Sequence, residues 1–214
     1  MTVYRKFICD FPSRCSRILS DYERRATLRG LEVTTMPAIA SAGLIIPYER
    51  LKRSDHPSGD RSRFQKAVER FEKIGNRNFL EDFLEGESGS WQYGEIMDDT
   101  GMVEQWKNST VSIDRMETGI ITGKVGRKKK TCYILNCLRN SLAHGNVFTP
   151  GRGVIKDLVF LSRIEQKRKE YSVVVVSPVD FRGFLQKWFQ SVREIEMPES
   201  VVAERYTAAM EGYA

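Results

Sequence analysis

The chain has 214 residues, of which 41% are hydrophobic, and a formal net charge of +6. This composition can fill the core of a large domain and argues against a disordered chain. The positive charge suits an acidic partner such as RNA. No apolar run is long enough to span a membrane, and the N-terminus lacks the apolar stretch of a signal peptide. We therefore expect a cytoplasmic protein with no membrane partner.

Helical patterns dominate the first part of the chain. Apolar residues recur at helical spacing from about residue 13 to 30, from 34 to 47, and from 64 to 84 with a break at residues 75–76. The second of these patterns reaches Pro47, which either ends or kinks the helix. A mainly α-helical fold is therefore predicted.

Residues 85–130 follow no single period. They mix turn signals with isolated apolar residues, which predicts loops with one or two short helices. Trp91, Tyr93 and Trp106 either stack on bases or anchor these loops to the core, and we favour anchoring. The stretch ends in a basic cluster that either holds an RNA backbone or forms a solvated loop: Lys124, Arg127, Lys128, Lys129 and Lys130.

A further helix is predicted over residues 133–144. Leucines recur within it at helical spacing, and Gly145 followed by Asn146 supplies a stop signal. His144 therefore falls in the final turn. Asn140 and Ser141 lie on the same rim of the helix as His144, and Arg139 lies on the flank of that rim.

The remainder of the chain predicts a β-hairpin and a long helix. Residues 154–161 and 171–176 are rich in β-branched and aromatic side chains, with a charged loop between them. Ser177 and Pro178 then start an amphipathic helix, whose apolar stripe we expect to pack against the helix of residues 133–144. We predict a single domain over residues 1–214, with its core at about 13–196 and a tail at 197–214 that forms at most a short helix.

The pattern around Arg139 resembles the HEPN superfamily, whose signature is an arginine, a following polar residue and a histidine near a helix end. The resemblance extends over about residues 131–192, since two strand-like runs and an amphipathic helix follow the motif. It implies an antiparallel helical bundle with a β-hairpin inserted before the last long helix. It also implies a metal-independent RNA endonuclease, in a toxin or anti-phage defence system, that cleaves RNA by 2′-hydroxyl attack and needs no cofactor.

Residue roles follow from the resemblance and from elementary chemistry. Three residues are expected to be catalytic. His144 accepts a proton, Arg139 stabilises the negative charge on the phosphate, and Asn140 orients the imidazole or a phosphate oxygen. Ser141 and Asn146 are expected to support them. One histidine cannot easily serve both sides of phosphorus, so we expect a homodimer that meets through the motif helix, with an antitoxin or an activating protein as a further partner.

Several alternatives are weighed against this interpretation. Arginine and histidine near a helix end also complement the helix dipole without any catalytic role. The same dimer without activity would be a binding or regulatory protein, resembling an antitoxin. The four cysteines have no zinc or redox spacing and are interpreted as reduced, buried thiols, and the scattered acidic residues predict no metal site. A nucleophilic triad, a phosphate loop and a DNA-reading helix-turn-helix are disfavoured by missing motifs.

Overall fold

The structure is a computed structural model that describes residues 7–28, 30–52, 61–97, 123–125, 129–149, 155–164 and 170–195. These residues are mainly helical, as predicted. None of the described helices is both long and apolar enough to cross a membrane. The helical segments are α1 (Phe7–Leu28), α2 (Glu32–Ala40), a π-helical turn (Ser41–Ile45), α3 (Ile46–Lys52), α4 (Arg61–Asn76), α5 (Phe79–Phe83), α6 (Thr131–Ala143) and α7 (Pro178–Ile195).

The sheet is larger than the predicted hairpin. It has five antiparallel strands in the order β2-β1-β5-β4-β3. The predicted hairpin is present as its two adjacent strands β4 and β5. The strands are β1 (Gln92–Met97), β2 (Gly123–Lys124), β3 (Val147–Phe148), β4 (Leu158–Arg163) and β5 (Glu170–Val176).

Strand β1 corrects the expectation of loops and short helices at residues 85–130. All six of its residues pair with β5, from Gln92 opposite Val175 to Met97 opposite Glu170. Its own sequence holds a glycine and only weak alternation, so local propensity does not favour a strand. The valine-rich β5, far along the chain, supplies the hydrogen-bonding partner that decides the conformation.

The core face of the sheet packs beneath the helices. Alternation along the strands places Leu158, Phe160, Val174 and Val176 on this face, all fully buried. The opposite face carries a second buried cluster: Ile96, Val159, Leu161, Val173 and Val175.

Aromatic rings fill the centre of the main core. Trp91 is fully buried, with its ring 5.0 Å from that of Phe79 and 5.3 Å from that of Phe184. Phe83 and Trp188 continue the cluster. Such edge and offset contacts add to the burial of apolar area. Trp91 therefore anchors its segment to the core, as favoured from the sequence, while Trp106 lies outside the described residues.

The second predicted helix is divided. It begins at Glu32, passes into the π-helical turn at Ser41 and continues without a gap as α3, whose second residue, Pro47, has no N–H to donate to that turn. At Gly43 a Cβ atom would lie 2.4 Å from a ring carbon of Phe189, so only glycine fits this contact. The Gly43 carbonyl accepts a hydrogen bond from the indole of Trp188 at 3.0 Å. The turn thus fixes α3 against the core.

The last helix starts as predicted and joins the main core. The hydroxyl of Ser177 accepts a hydrogen bond from the amide of Asp180 at 3.2 Å, which caps the first turn of α7. The backbone of α7 runs closest to α1, while rings of its apolar stripe pack on α5 and the sheet, as Phe184 does on Phe83 and Phe181 on Phe160. The stripe and the apolar face of α6 belong to one buried cluster, so α7 shares the core with α6 and lies beside a helix from the opposite end of the chain.

Candidate functional site

Helix α6 presents a largely polar face because its leucines and its isoleucine turn inward. Ile134, Leu135 and Leu138 are fully buried, and Leu142 nearly so. The residues on the opposite side keep solvent contact to different degrees, and the most exposed are Tyr133, Ala143 and His144. The sequence pattern of the motif helix is thereby reproduced, with its ends at Thr131 and Ala143.

His144 caps the helix and does not lie within its final turn. The next residue, Gly145, adopts a left-handed conformation with φ of 67°. The amide of Asn146 donates to the carbonyl of Ser141 at 2.8 Å, and the amide of Gly145 to that of Leu142 at 3.4 Å. This pair of bonds is the Schellman arrangement of a helix end. It stops the helix at a fixed point and leaves the His144 side chain exposed.

Asn146 contributes through its backbone. Besides its amide bond to the helix, its carbonyl accepts the amide of Leu161 in β4 at 3.1 Å. The helix end is therefore joined directly to the sheet.

Arg139 is held from two directions. Its guanidinium forms an ion pair with Glu49 of α3 and donates a hydrogen bond to the side-chain oxygen of Asn140. The side chains of Arg139 and Glu49 are 26% and 27% exposed, so the pair is neither fully buried nor freely solvated. Two donors of the planar guanidinium are thus engaged, and its orientation is set before any ligand arrives.

Asn140 connects the arginine to the sheet. Its side-chain nitrogen donates to the hydroxyl of Ser162 in β4 at 3.0 Å, while its oxygen faces Arg139. Ser162 is only 6% exposed, so this contact is fixed in the core. The described side-chain contacts of Asn140 are therefore with Arg139 and Ser162, whereas the sequence suggested the imidazole or a phosphate oxygen.

Ser141 does not belong to the exposed rim. It is fully buried and donates its hydroxyl to the carbonyl of Cys137 one turn earlier, at 2.7 Å. Its side chain therefore lies within the helix packing, and not on the polar rim where the sequence pattern placed it. Cys137 is buried beside it, and burial raises the pKa of its thiol to about 12. Such a thiol is inert, as predicted for a reduced core cysteine.

Glu49 and Tyr48 are site residues that the sequence did not indicate. Burial raises the pKa of Tyr48 to about 12, and its hydroxyl donates to the side-chain oxygen of Asn136 on α6. Tyr48 and Glu49 thus hold α3 against α6, the first by a hydrogen bond and the second by an ion pair. No spacing signal links them to the motif, because they reach it only through the packing of α3 beside α6.

The predicted basic cluster lies at the other end of α6. Thirteen residues at a rise of 1.5 Å place Lys130 roughly 20 Å from His144. The Lys129 ammonium lies over the rings of Tyr93 and Tyr133, and that of Lys130 is 3.4 Å from the Asn76 side-chain oxygen. Lys124 is in β2 opposite Gln92. Arg127 and Lys128 lie outside the described residues.

The remaining chemical expectations concern metals and thiols. Among the described residues, no three His, Cys, Asp or Glu side chains come together as metal ligands would. Cys15, Cys132 and Cys137 are free thiols.

Comparisons with known proteins bear on the whole arrangement. The family model described as HEPN pEK499 p136 matches residues 1–199, which include every described element and both Arg139 and His144. A search of the curated proteins found no match, and a search of the solved structures found none either. Since the family model covers most of the chain, the protein is a member of this HEPN family.

Proposed function

We propose that this HEPN protein is a metal-independent RNA endonuclease. The observation that carries the proposal is the guanidinium of Arg139, which Glu49 and Asn140 hold at the flank of the helix face that Asn140 shares with the exposed His144. A fixed cation and an accessible imidazole near one helix end suit cleavage of a phosphodiester that carries its own nucleophile. Membership of a HEPN family supports a ribonuclease or nucleotide-binding role in general.

The first step assigned to His144 is proton transfer. Its neutral imidazole accepts the proton of an RNA 2′-hydroxyl, and that oxygen attacks the adjacent phosphorus. The bond from phosphorus to the 5′-oxygen breaks, and the leaving oxygen takes up a proton. The products are a 2′,3′-cyclic phosphate and a 5′-hydroxyl.

Arg139 stabilises the charge that builds up on phosphorus oxygens during this attack. A guanidinium offers five N–H donors in one plane and stays charged throughout. Glu49 and Asn140 each engage one terminal nitrogen, and Nε is buried, which leaves the second N–H of each terminal nitrogen for the phosphate. Asn140 keeps the plane in place through Ser162.

A second copy of the chain completes the site in this proposal. The general base and the general acid must lie on opposite sides of phosphorus, and one imidazole cannot occupy both positions. The C-terminal half of the exposed α6 face, with the small Ala143 beside His144, allows close approach of a second α6. A symmetric dimer would bring two His144 and two Arg139 side chains to one cleft.

The test is cleavage of end-labelled mixed RNA in the presence of EDTA. Wild-type protein should produce cyclic-phosphate ends, and His144→Ala and Arg139→Ala should each reduce cleavage about a hundredfold or more. Arg17→Ala, which removes an exposed arginine from α1, serves as the matched control and should cleave normally. Circular dichroism of each variant checks folding. Equal cleavage by wild type and both site variants would contradict the proposal.

One observation favours a second candidate function. Because Glu49 already neutralises part of the Arg139 charge, the chain can also be a non-catalytic HEPN dimer that binds a partner or regulates a defence system, as an antitoxin does. Absence of cleavage by folded wild-type protein, with RNA binding retained, would favour this alternative.

A further inference from the structure

The N-terminal end of α6 carries an aromatic and basic group of three residues. The Lys129 ammonium lies 3.5 Å from the ring centroid of Tyr93 in β1 and 4.7 Å from that of Tyr133 in α6. These are close cation–π distances. Tyr93, Lys129 and Tyr133 are called the tyrosine–lysine group below.

The two tyrosines differ in how they are held. The Tyr93 hydroxyl is 3.1 Å from a Glu95 carboxylate oxygen and 3.2 Å from the Ser172 hydroxyl, and partial burial raises its pKa. Tyr93 is therefore a fixed part of the sheet. Tyr133 is 52% exposed although the ammonium lies over one of its faces. About half of the Tyr133 surface therefore remains open to a ligand.

We propose that Tyr133, backed by Lys129, is a subsite that stacks one base of single-stranded RNA a few nucleotides from the cleavage site. The proposal rests on the proposed function and identifies residues that bind the substrate away from the cleaved bond. Base stacking on an aromatic ring tolerates any sequence, and an adjacent cation attracts the phosphate that accompanies the base.

The geometry of α6 links the subsite to the candidate active site. Tyr133, Asn140 and His144 share the exposed side of the helix. Tyr133 precedes His144 by eleven residues, which places the two roughly 16 Å apart along the helix axis, and Arg139 lies between them on the flank. An unpaired strand can cross that distance within a few nucleotides, whereas a base inside a duplex cannot leave its stack without a penalty.

Charge favours RNA over a second copy of the chain at this end of α6. Lys129 is partly buried, and the loss of water lowers its pKa despite the nearby Glu95. Lys130 is exposed beside it, and the whole chain carries a net charge of +6. A second copy would bring the same cations to the contact, and like charges repel. A phosphate would instead stabilise both ammonium groups.

The experiment measures binding without cleavage. The wild-type chain is titrated with a mixed-sequence 2′-O-methyl RNA that carries 2-aminopurine, because the blocked hydroxyl prevents cleavage and stacking quenches the fluorescence. Tyr133→Leu should abolish the quenching and weaken binding about tenfold, while Tyr133→Phe should retain both. Ile18→Ala, which removes an exposed apolar side chain from α1, is the matched control and should bind normally.

A second variant separates stacking from phosphate contact. Lys129→Met should reduce the slope of log Kd against log salt concentration by about 0.7, whereas Tyr133→Leu should leave that slope unchanged. Normal quenching by Tyr133→Leu would overturn the proposal. So would conversion of a dimer to a monomer by Tyr133→Leu in light scattering, since the ring would then belong to an interface between copies. Because no cleavage is measured, Tyr133-dependent binding supports the subsite even if the nuclease proposal fails.

Discussion

At the scale of single residues, the site depends on how Arg139 is held. A guanidinium that meets phosphate is most effective when its plane is set beforehand, because no reorganisation is then needed during the reaction. Glu49 and Asn140 provide this constraint, and Ser162 anchors Asn140 in turn. The acidic residue outside the motif is thus as close to the arginine as the motif asparagine is.

This arrangement predicts the effect of removing the Glu49 charge. Glu49→Gln should lower kcat for RNA cleavage about tenfold or more through misplacement of Arg139. The free energy of unfolding should fall by about 1 to 3 kcal/mol, since the pairing oxygen of Glu49 is shielded from solvent and the variant leaves the Arg139 charge uncompensated. Single-turnover cleavage and urea unfolding measure the two quantities.

A matched ion pair provides the control for Glu49. Glu85 pairs with Lys187 at 2.8 Å on the surface, and Glu85→Gln should leave cleavage unchanged. Faster cleavage by Glu49→Gln would contradict the positioning role and would mean that Glu49 competes with phosphate for the arginine.

At the scale of elements, the start of α7 is joined to the segment before β1. The Asp180 carboxylate accepts hydrogen bonds from the amide of Ser90, at 2.8 Å, and from its hydroxyl. The Ser90 hydroxyl in turn accepts the amide of Ser177 at 2.8 Å. One carboxylate therefore ties a helix start to the strand that the sequence did not predict, and the negative charge suits the positive end of the helix.

Asp180 should make stability depend on pH. Partial burial alone raises its pKa, but hydrogen bonds from Ser90 and Ser177 outweigh this, so the folded pKa lies below its usual range. For a lowered pKa, the stabilisation is present above the unfolded value of about 4 and is lost as pH falls through the folded value. Asp180→Asn should lower the free energy of unfolding by about 1 to 2 kcal/mol at pH 7 and by progressively less as pH drops below about 4.

Urea unfolding at several pH values measures this trend. Asp82→Asn is an informative comparison because burial raises the pKa of Asp82 in spite of its ion pair with Arg77. The contribution of the Asp82 carboxyl to stability should therefore decline with rising pH, opposite to that of Asp180. If Asp180→Asn lowers the free energy of unfolding by the same amount at pH 7 and at low pH, the lowered pKa assigned to Asp180 is contradicted.

At the scale of the whole molecule, the proposed chemistry predicts that activity requires two copies. Cleavage per protomer should fall on dilution in step with the dimer fraction, because one protomer supplies only one imidazole to the phosphate. Light scattering at the assay concentrations gives that fraction. Full cleavage by a strictly monomeric sample would rule out the shared site.

The sequence predicted the local parts of this molecule well. The helix of residues 133–144, the stop at Gly145, the β4–β5 hairpin and the capped start of α7 all depend on neighbours within a few positions. Such signals act through backbone hydrogen bonds and periodic burial, which short stretches of sequence encode directly. The family was also recognisable at this level, because its motif is contained in one helix.

By itself, then, the sequence determined the motif helix, its polar rim and its HEPN membership. Only the tertiary structure decided that β1 is a strand, that α7 packs on α1, that Ser141 faces the core and that Glu49 reaches Arg139. Each of these depends on a partner distant in the chain. Strand pairing, the burial of a helix face and the meeting of two charges are set by how elements pack, and local spacing does not encode that packing.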